Sequence, residues 1–64
     1  MKGTVGEILE IYIQGGTTMG MIRVKGDIMD VPLMLVMDAK RGDRVVIESG
    51  IAVSSAHPEK VSKN

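Results

Sequence analysis

The most constraining feature of this sequence is an alternating run that ends in two glycines. Leu9, Ile11 and Ile13 alternate with polar or amphipathic residues, and this period of two predicts a half-buried β-strand. Gly15 and Gly16 follow at once, and they supply the positive φ values that a tight hairpin turn requires. The sequence therefore opens with a β-hairpin, and no helix of ordinary length is predicted in the rest of it.

Short apolar strands separated by turns continue along the chain. A returning strand is predicted over residues 20–25, followed by a turn around Gly26. A third strand is predicted over residues 28–31, in which Met29 and Val31 are expected to point inward. We expect Pro32 to end this strand, because proline has no N–H to donate to a sheet.

The pattern in the second half of the sequence predicts two more strands and a short apolar lid. Val45 and Ile47 indicate a fourth strand, and Gly50 marks a bulge or sharp bend before a short fifth strand over residues 51–53. Between the third and fourth strands, the apolar residues 33–37 predict a short helical turn or lid across an open barrel end. Met34 and Met37 on this lid are secondary candidates for contact with a partner.

Five short strands in 64 residues predict an all-β fold, a small closed or nearly closed barrel similar to an OB-fold. Closure would remove the sheet edges that otherwise promote aggregation. Residues 1–55 are predicted to form the barrel domain. Residues 56–64 carry few apolar groups and are predicted to be a flexible tail. Ile11, Ile22, Val24, Val45 and Ile47 are expected to be buried, and Met29 and Val31 are expected to point inward.

Composition restricts the environment and the partners. Eight Lys and Arg balance eight Asp and Glu, so no strong field is expected to attract nucleic acid or an anionic membrane. The absence of cysteine excludes disulfides and thiolate metal sites, and it is typical of a reducing compartment. The longest apolar run, residues 31–37, is too short to span a bilayer. With no secretory signal in the first residues, we expect a cytoplasmic protein.

Few residues suggest catalysis. His57 is the single histidine and lies in the polar tail, where no nucleophile is predicted to accompany it. Asp27, Asp30 and Asp38 surround turns, but their spacing is not that of a calcium-binding loop. The sequence therefore predicts a non-enzymatic protein that has no cofactor, no catalytic residue and no metal site.

A basic stretch contains an adhesion-like tripeptide. Lys40, Arg41 and Arg44 form the basic cluster, which Asp43 interrupts. We interpret Arg41-Gly42-Asp43 as a turn, with Gly42 at its corner, because a glycine and an aspartate commonly stabilise turns through their backbones. The cluster is interpreted as a solvated face.

The order of these motifs resembles that of a known family. Residues 3–11 (GTVGEILEI) are similar to the opening strand of the HypC/HupF hydrogenase maturation chaperones, in which a Gly-x-Pro-Gly-x-Ile pattern follows a short N-terminus. Residues 20–53 also resemble the family without a gap, through a strand ending at Gly26, a Val-Pro-Leu segment, a Gly-Asp-x-Val segment and a Ser-Gly-Ile-Ala-Val segment.

The resemblance implies an OB-like barrel that binds protein partners. Family members bind the precursor of the large subunit of nickel–iron hydrogenase and another maturation protein while the iron with its cyanide and carbonyl ligands is built and delivered. On this basis we assign partner binding to Gly3 and Gly6. In this register Met1 occupies the place of the family cysteine and Lys2 follows, a family histidine is Glu48, and the proline of the opening motif is Val5. We therefore assign no metal site.

Other functions stay open at this point. An OB-fold RNA-binding module resembling bacterial translation initiation factor one also has a Gly-Thr-Val strand and a later Gly-Asp-x-Val. The balanced charge and the single aromatic residue, Tyr12, count against it, because such modules combine a positive groove with aromatic platforms. A structural subunit of a larger assembly and weak self-association are further alternatives.

Overall fold

The computed structural model describes residues 3–56, which form one antiparallel sheet of five strands. The strands are β1 (Thr4–Gln14), β2 (Thr17–Val24), β3 (Asp27–Pro32), β4 (Arg44–Glu48) and β5 (Ile51–Ser55). Their order across the sheet is β3-β2-β1-β4-β5, so the longest strand lies at the centre. No helix occurs in this part of the chain. The predicted all-β class is confirmed for the described residues.

Three of the connections are two-residue hairpin turns. Residues 15–16, 25–26 and 49–50 each join neighbouring antiparallel strands, and both residues of every turn have positive φ. This is the backbone signature of the type I′ turn, whose twist matches that of the flanking strands. Lys25 and Ser49 adopt the left-handed conformation although they are not glycines, with φ values of 52° and 54°. The bend expected at Gly50 is thus the second half of a tight turn.

A β-bulge at Leu9 changes which side chains of β1 face inward. Ile8 pairs with Ile22 and Glu10 pairs with Met21, so Leu9 has no residue directly opposite it on β2. An extra residue reverses the alternation of a strand from that point on. The bulge therefore explains why an apolar residue, Ile8, directly precedes the alternating apolar residues Leu9, Ile11 and Ile13.

Burial along β1 depends on the bulge and on the distance from the hairpin turn. Ile8 is 1% exposed, whereas Ile13, which lies on the same face but next to the turn, is 67% exposed. Ile11 and Val24, which were predicted to be interior, are only partly buried and pack against the core. Met29 is 40% exposed because it lies on an edge strand. The buried apolar residues are Ile8, Ile22, Val31, Leu33, Val36, Val45, Ile47 and Ala52, which confirms the predicted burial of Ile22, Val31, Val45 and Ile47.

Pro32 is the last residue of the third strand, as expected. It pairs with Met19 within the β2–β3 ladder, and the next residue, Leu33, donates its N–H to the carbonyl oxygen of Thr18 at 2.9 Å. The absence of a proline N–H is tolerated here because β3 is an edge strand.

The predicted lid, residues 33–37, is the first part of a longer series of turns that covers one end of the sheet. From here on, the lid means all of residues 33–43. The N–H of Val36 donates to Leu33 O and the N–H of Ala39 donates to Val36 O, each at 3.0 Å. Leu33 and Val36 are buried, whereas Met34, Leu35 and Met37 are 56%, 64% and 74% exposed. The predicted lid therefore exists as irregular turns, with one apolar side on the core and the other exposed.

The sheet is not closed into a barrel. The edge strands β3 and β5 contact each other, but among residues 3–56 no ladder of backbone hydrogen bonds joins them. The closed form of the expected barrel is therefore not confirmed. At the end of the described chain, the Ala56 N–H donates to Arg44 O at 2.9 Å, so the first residue of the predicted tail still bonds to β4. Residues 57–64, the rest of that tail, lie outside the described residues.

Replacement of Ile22 by alanine should destabilise the protein far more than the same replacement of Ile13. Ile22→Ala removes a fully buried side chain and should lower the free energy of unfolding by about 2–5 kcal/mol. That loss is close to the ~3–5 kcal/mol that a core of this size supplies. We expect the variant to be largely unfolded at room temperature by circular dichroism. Ile13→Ala, at an exposed position, is the control, and equal thermal midpoints for both variants would contradict the core described here.

Candidate functional site

A concave feature of the described residues lies at the end of the sheet opposite the Leu33–Thr18 contact. It is a cleft of about 260 Å³. The start of β1, the end of β2, the middle of β3 and the β4–β5 turn surround it. We call it the mouth cleft, and it is lined by Thr4, Val24, Met29, Ile47, Ser49 and Gly50.

The lining of the mouth cleft is apolar with a polar rim. Val24, Met29 and Ile47 form apolar walls, while Thr4 and Ser49 contribute hydroxyl groups. The volume lies below the ~300–1,000 Å³ of a typical small-molecule or cofactor site. The shape and chemistry of the cleft suit one or two apolar side chains of a partner protein.

Hydrogen-bonded strands position the lining residues. Thr4 pairs with Ile47 across β1 and β4, and Met29 pairs with Ile22 across β3 and β2. The cleft lies between residues that belong to these two pairs of strands. Ser49 is held at its rim by the type I′ turn described above.

The two glycines assigned to partner binding lie close to the chain's own side chains. Gly6 is buried, and a Cβ built on it would meet Ile22 Cγ2 and lie 2.8 Å from Val24 Cγ2. A Cβ on Gly3 would meet Val46 Cγ1 and lie 2.9 Å from the Glu48 Cγ. Both positions therefore require glycine for internal packing. Partner binding at Gly3 and Gly6 stays a prediction, and Gly3 directly precedes a residue that lines the mouth cleft.

The remaining polar candidates do not form a cluster. Asp27, Asp30 and Asp38 are all exposed. Within residues 3–56, no group of three or more potential metal ligands comes together. Partial desolvation, and then the neighbouring Asp30 carboxylate, raise the pKa of the Tyr12 phenol above its ordinary value. Tyr12 is thus a neutral phenol at physiological pH. His57 lies outside the described residues.

The adhesion-like tripeptide has internal contacts. The Asp43 carboxylate accepts a hydrogen bond from the backbone N–H of Lys40 at 2.9 Å. Arg41 Nη1 lies 3.5 Å from Glu10 Oε1, in an exposed ion pair. Gly42 has a φ of 90° and its N–H donates to Ile8 O at 2.9 Å. These contacts support the interpretation of residues 41–43 as a structural turn.

Sequence reasoning did not identify the mouth cleft. Thr4, Ser49 and Gly50 come from different ends of the chain, and only the pairing of β1 with β4 brings them together. A weak signal was present, because Met29 is a large apolar residue in a strand that also carries Asp27 and Asp30. Such a strand is expected at an edge of a sheet rather than at its centre.

Comparison with known proteins identifies no relative. No protein-family model, no curated protein and no solved structure matches this chain. Residues 3–56 contain no helix with the length and hydropathy needed to cross a membrane.

The rim of the cleft gives a prediction about backbone strain. Ser49 adopts a left-handed conformation that asparagine tolerates better than serine. Ser49→Asn should therefore raise the free energy of unfolding by about 0.5–1 kcal/mol in urea titrations. Ser54→Asn, on an exposed position of β5, is the matched control and should give no increase. A loss of stability in Ser49→Asn would show that the serine hydroxyl makes a stabilising contact.

The packing around Gly6 gives a second prediction. Gly6→Ala places a methyl group against Ile22 and Val24, and overpacking of this kind lowers the free energy of unfolding by about 1–3 kcal/mol. Glu7→Ala, at the exposed neighbouring position, should change it by only about 0.5 kcal/mol. Chemical denaturation of both variants measures the difference. If Gly6→Ala is as stable as the unmodified protein, the close approach described above is wrong.

Proposed function

We propose that this protein is a HypC/HupF-like accessory protein of nickel–iron hydrogenase maturation, which binds a protein partner at the mouth cleft. The partner is the precursor of the hydrogenase large subunit or another maturation protein. The observation that carries the proposal is an apolar cleft beside the start of β1, the segment in which the family resemblance is found.

The strand order supports an OB-like description. β1 pairs with β2 on one side and with β4 on the other, and the two edge strands β3 and β5 contact each other. Pairing of β3 with β5 would complete a five-stranded barrel of the partly open kind that the OB-fold represents. We propose the fold to be OB-like in this sense, with the mouth cleft at the place where the strands separate.

The lining of the cleft favours insertion of a partner side chain. Binding energy in protein interfaces is concentrated where a few apolar side chains fill a desolvated pocket. Met29 is adaptable, since its side chain is flexible and polarisable, and at 40% exposure it is available to a partner. The Thr4 and Ser49 hydroxyls can hydrogen-bond the partner backbone at the rim.

Docking is proposed to be independent of iron. In the register of the resemblance Met1 occupies the place of the family cysteine, and neither its thioether nor a protonated α-amino group can replace a thiolate as an iron ligand. A partner held by apolar contacts at Met29 and Ile47 needs no metal bridge. The protein would then recognise a partner while another component handles the iron.

The charges and aromatic residues of this protein give little support to the RNA-binding alternative. Arg41 of the basic cluster is engaged by Glu10, and Tyr12 is the single aromatic side chain of the sequence. A single-strand platform needs several rings and a continuous positive groove. No observation on the described residues favours this alternative over protein binding.

The proposal predicts the effect of one charge at the cleft. Met29→Glu should weaken binding of the purified hydrogenase large-subunit precursor by at least about tenfold, because a carboxylate would be buried without a partner. Isothermal titration calorimetry with and without an iron chelator measures the affinity, and the chelator should have no effect. Leu35→Glu, on the exposed side of the lid, is the control and should bind normally.

Three outcomes would contradict the proposal. Absence of binding to the precursor and to purified maturation proteins would remove the assigned partner class. Weakening by Leu35→Glu but not by Met29→Glu would place the interface on the lid instead. Loss of binding in the presence of the chelator would show that iron takes part.

A further inference from the structure

The pairing of β2 with β3 determines which backbone groups of β3 point away from the sheet. In a two-residue hairpin, the residues flanking the turn form a hydrogen-bonded pair, and hydrogen-bonded and non-hydrogen-bonded pairs then alternate. Val24 and Asp27 flank the turn, so the pair of Ile22 with Met29 is also hydrogen-bonded. The bond from Leu33 N to Thr18 O, at 2.9 Å, agrees with this alternation.

The alternate residues of β3 therefore direct their N–H and C=O groups to the free edge. Ile28 pairs with Arg23, Asp30 with Met21 and Pro32 with Met19, all in non-hydrogen-bonded positions. Pro32 has no N–H to offer, so pairing along this edge stops there. Within residues 3–56, β3 has β2 as its single hydrogen-bonded neighbour. The free edge thus presents the backbone groups of Ile28 and Asp30. This edge faces β5, which contacts β3 without a ladder of backbone hydrogen bonds, so an added strand enters between β3 and β5.

The side chains beside these groups are exposed and chemically distinct. Ile28 is 60% exposed and Met29 is 40% exposed. Met29 shares the inner face with Ile22 and borders the mouth cleft, whereas Ile28 and Asp30 lie on the outer face. The edge therefore offers an apolar position and an acidic position on one face, and an entrance to an apolar cleft on the other.

We infer that the free edge of β3 binds an extended segment of a partner protein, which adds a strand through the backbone groups of Ile28 and Asp30. The segment carries a Lys or Arg opposite Asp30, an apolar residue that enters the mouth cleft beside Met29, and an apolar residue opposite Ile28. Edge-strand addition obtains affinity from main-chain hydrogen bonds and specificity from alternate side chains.

Charge and geometry limit the occupant to this chemistry. A cross-strand pair of opposite charges is favourable, whereas an acidic residue opposite Asp30 would be repelled. Residues of the added strand alternate between the two faces, so only every second side chain can reach the mouth cleft. The recognised sequence is therefore basic–apolar–apolar in an antiparallel strand. This inference rests on the proposed function only in that the partner is a protein.

A short synthetic peptide tests the inference on the full chain. The probe is an N-acetylated and C-amidated peptide of lysine–valine–valine flanked by two threonines on each side, titrated by NMR to about 5 mM. We expect the amides of Ile28 and Asp30 to become slow in hydrogen exchange, while the Met29 amide, already bonded to β2, does not change. Replacing the lysine of the peptide with glutamate should weaken binding by about tenfold.

Variants of the protein make the test specific. Asp30→Lys should reverse the charge preference, so that the glutamate peptide binds better than the lysine peptide. Ile28→Pro removes an N–H that points to the free edge without removing a bond to β2, and it should abolish peptide binding while the β2–β3 ladder stays intact. Ile28→Val keeps the N–H and a β-branched side chain, and it should bind as the unmodified protein does.

Several results would overturn the inference. The spectrum could stay unchanged at the highest peptide concentration, or the amides protected by the peptide could fail to alternate along β3. Asp30→Lys could also leave the preference for the lysine peptide unchanged. Concentration-dependent protection of the Ile28 and Asp30 amides without peptide would identify a second copy of the chain as the occupant instead. The assay contains no hydrogenase protein, so intact peptide binding with no precursor binding would contradict the proposed function alone.

Discussion

The rest of the structure depends on the way β1 pairs along both of its edges. Its first residues, from Thr4 to Glu7, pair with β4, and from Glu7 onward it pairs with β2. Where the β4 pairing ends, Ile8 exchanges two backbone bonds of 2.9 Å with the lid, at Gly42 and Asp43. One strand thus joins the two halves of the sheet and anchors the lid, so a slip in its register would displace the whole core.

The bulge and the buried glycines allow a small core without aromatic residues. The bulge at Leu9 turns both Ile8 and Ile11 toward the same face, and the missing side chain at Gly6 leaves room for Ile22 and Val24. Gly20 has the same role beside Leu33, whose Cδ1 would lie 2.9 Å from a Cβ at that position. Close approach of β-branched side chains replaces the volume that aromatic rings supply in other small domains.

The sequence predicted the positions of the strands and turns better than it predicted which side chains of each strand face the core. The strands, the double-glycine turn and the apolar cover all follow from local signals, namely period-two apolar residues, glycine pairs and a Pro-Leu segment. The expected alternation of Leu9, Ile11 and Ile13 fails at Leu9, because this single extra residue shifts the pattern so that Ile8 shares a face with Ile11. Local sequence carries little information on a bulge, since any residue can be the inserted one.

The pairing of Pro32 with Met19 and the mouth cleft were beyond local reasoning for a different reason. Whether a proline interrupts a strand depends on the direction of the missing N–H, which is determined by the distance along the ladder from the β2–β3 turn. The cleft combines residues from β1, β3 and the β4–β5 turn. Contacts between segments so far apart in the chain follow from strand order, and strand order is a property of the complete sheet.

Two exposed apolar regions remain, and they differ in what they can offer a partner. The lid exposes Met34, Leu35 and Met37, but its turns are closed by backbone bonds such as Val36 N to Leu33 O. It provides apolar area with little directional recognition. The edge of β3 combines exposed apolar side chains with backbone groups in a fixed direction and with a cleft beside them. Because specificity in protein recognition requires oriented polar groups in addition to buried area, the edge of β3 is the stronger candidate for a selective interface. Substitutions at outer residues of this edge, such as Ile28, can change which partner is bound without disturbing the core that stabilises this protein.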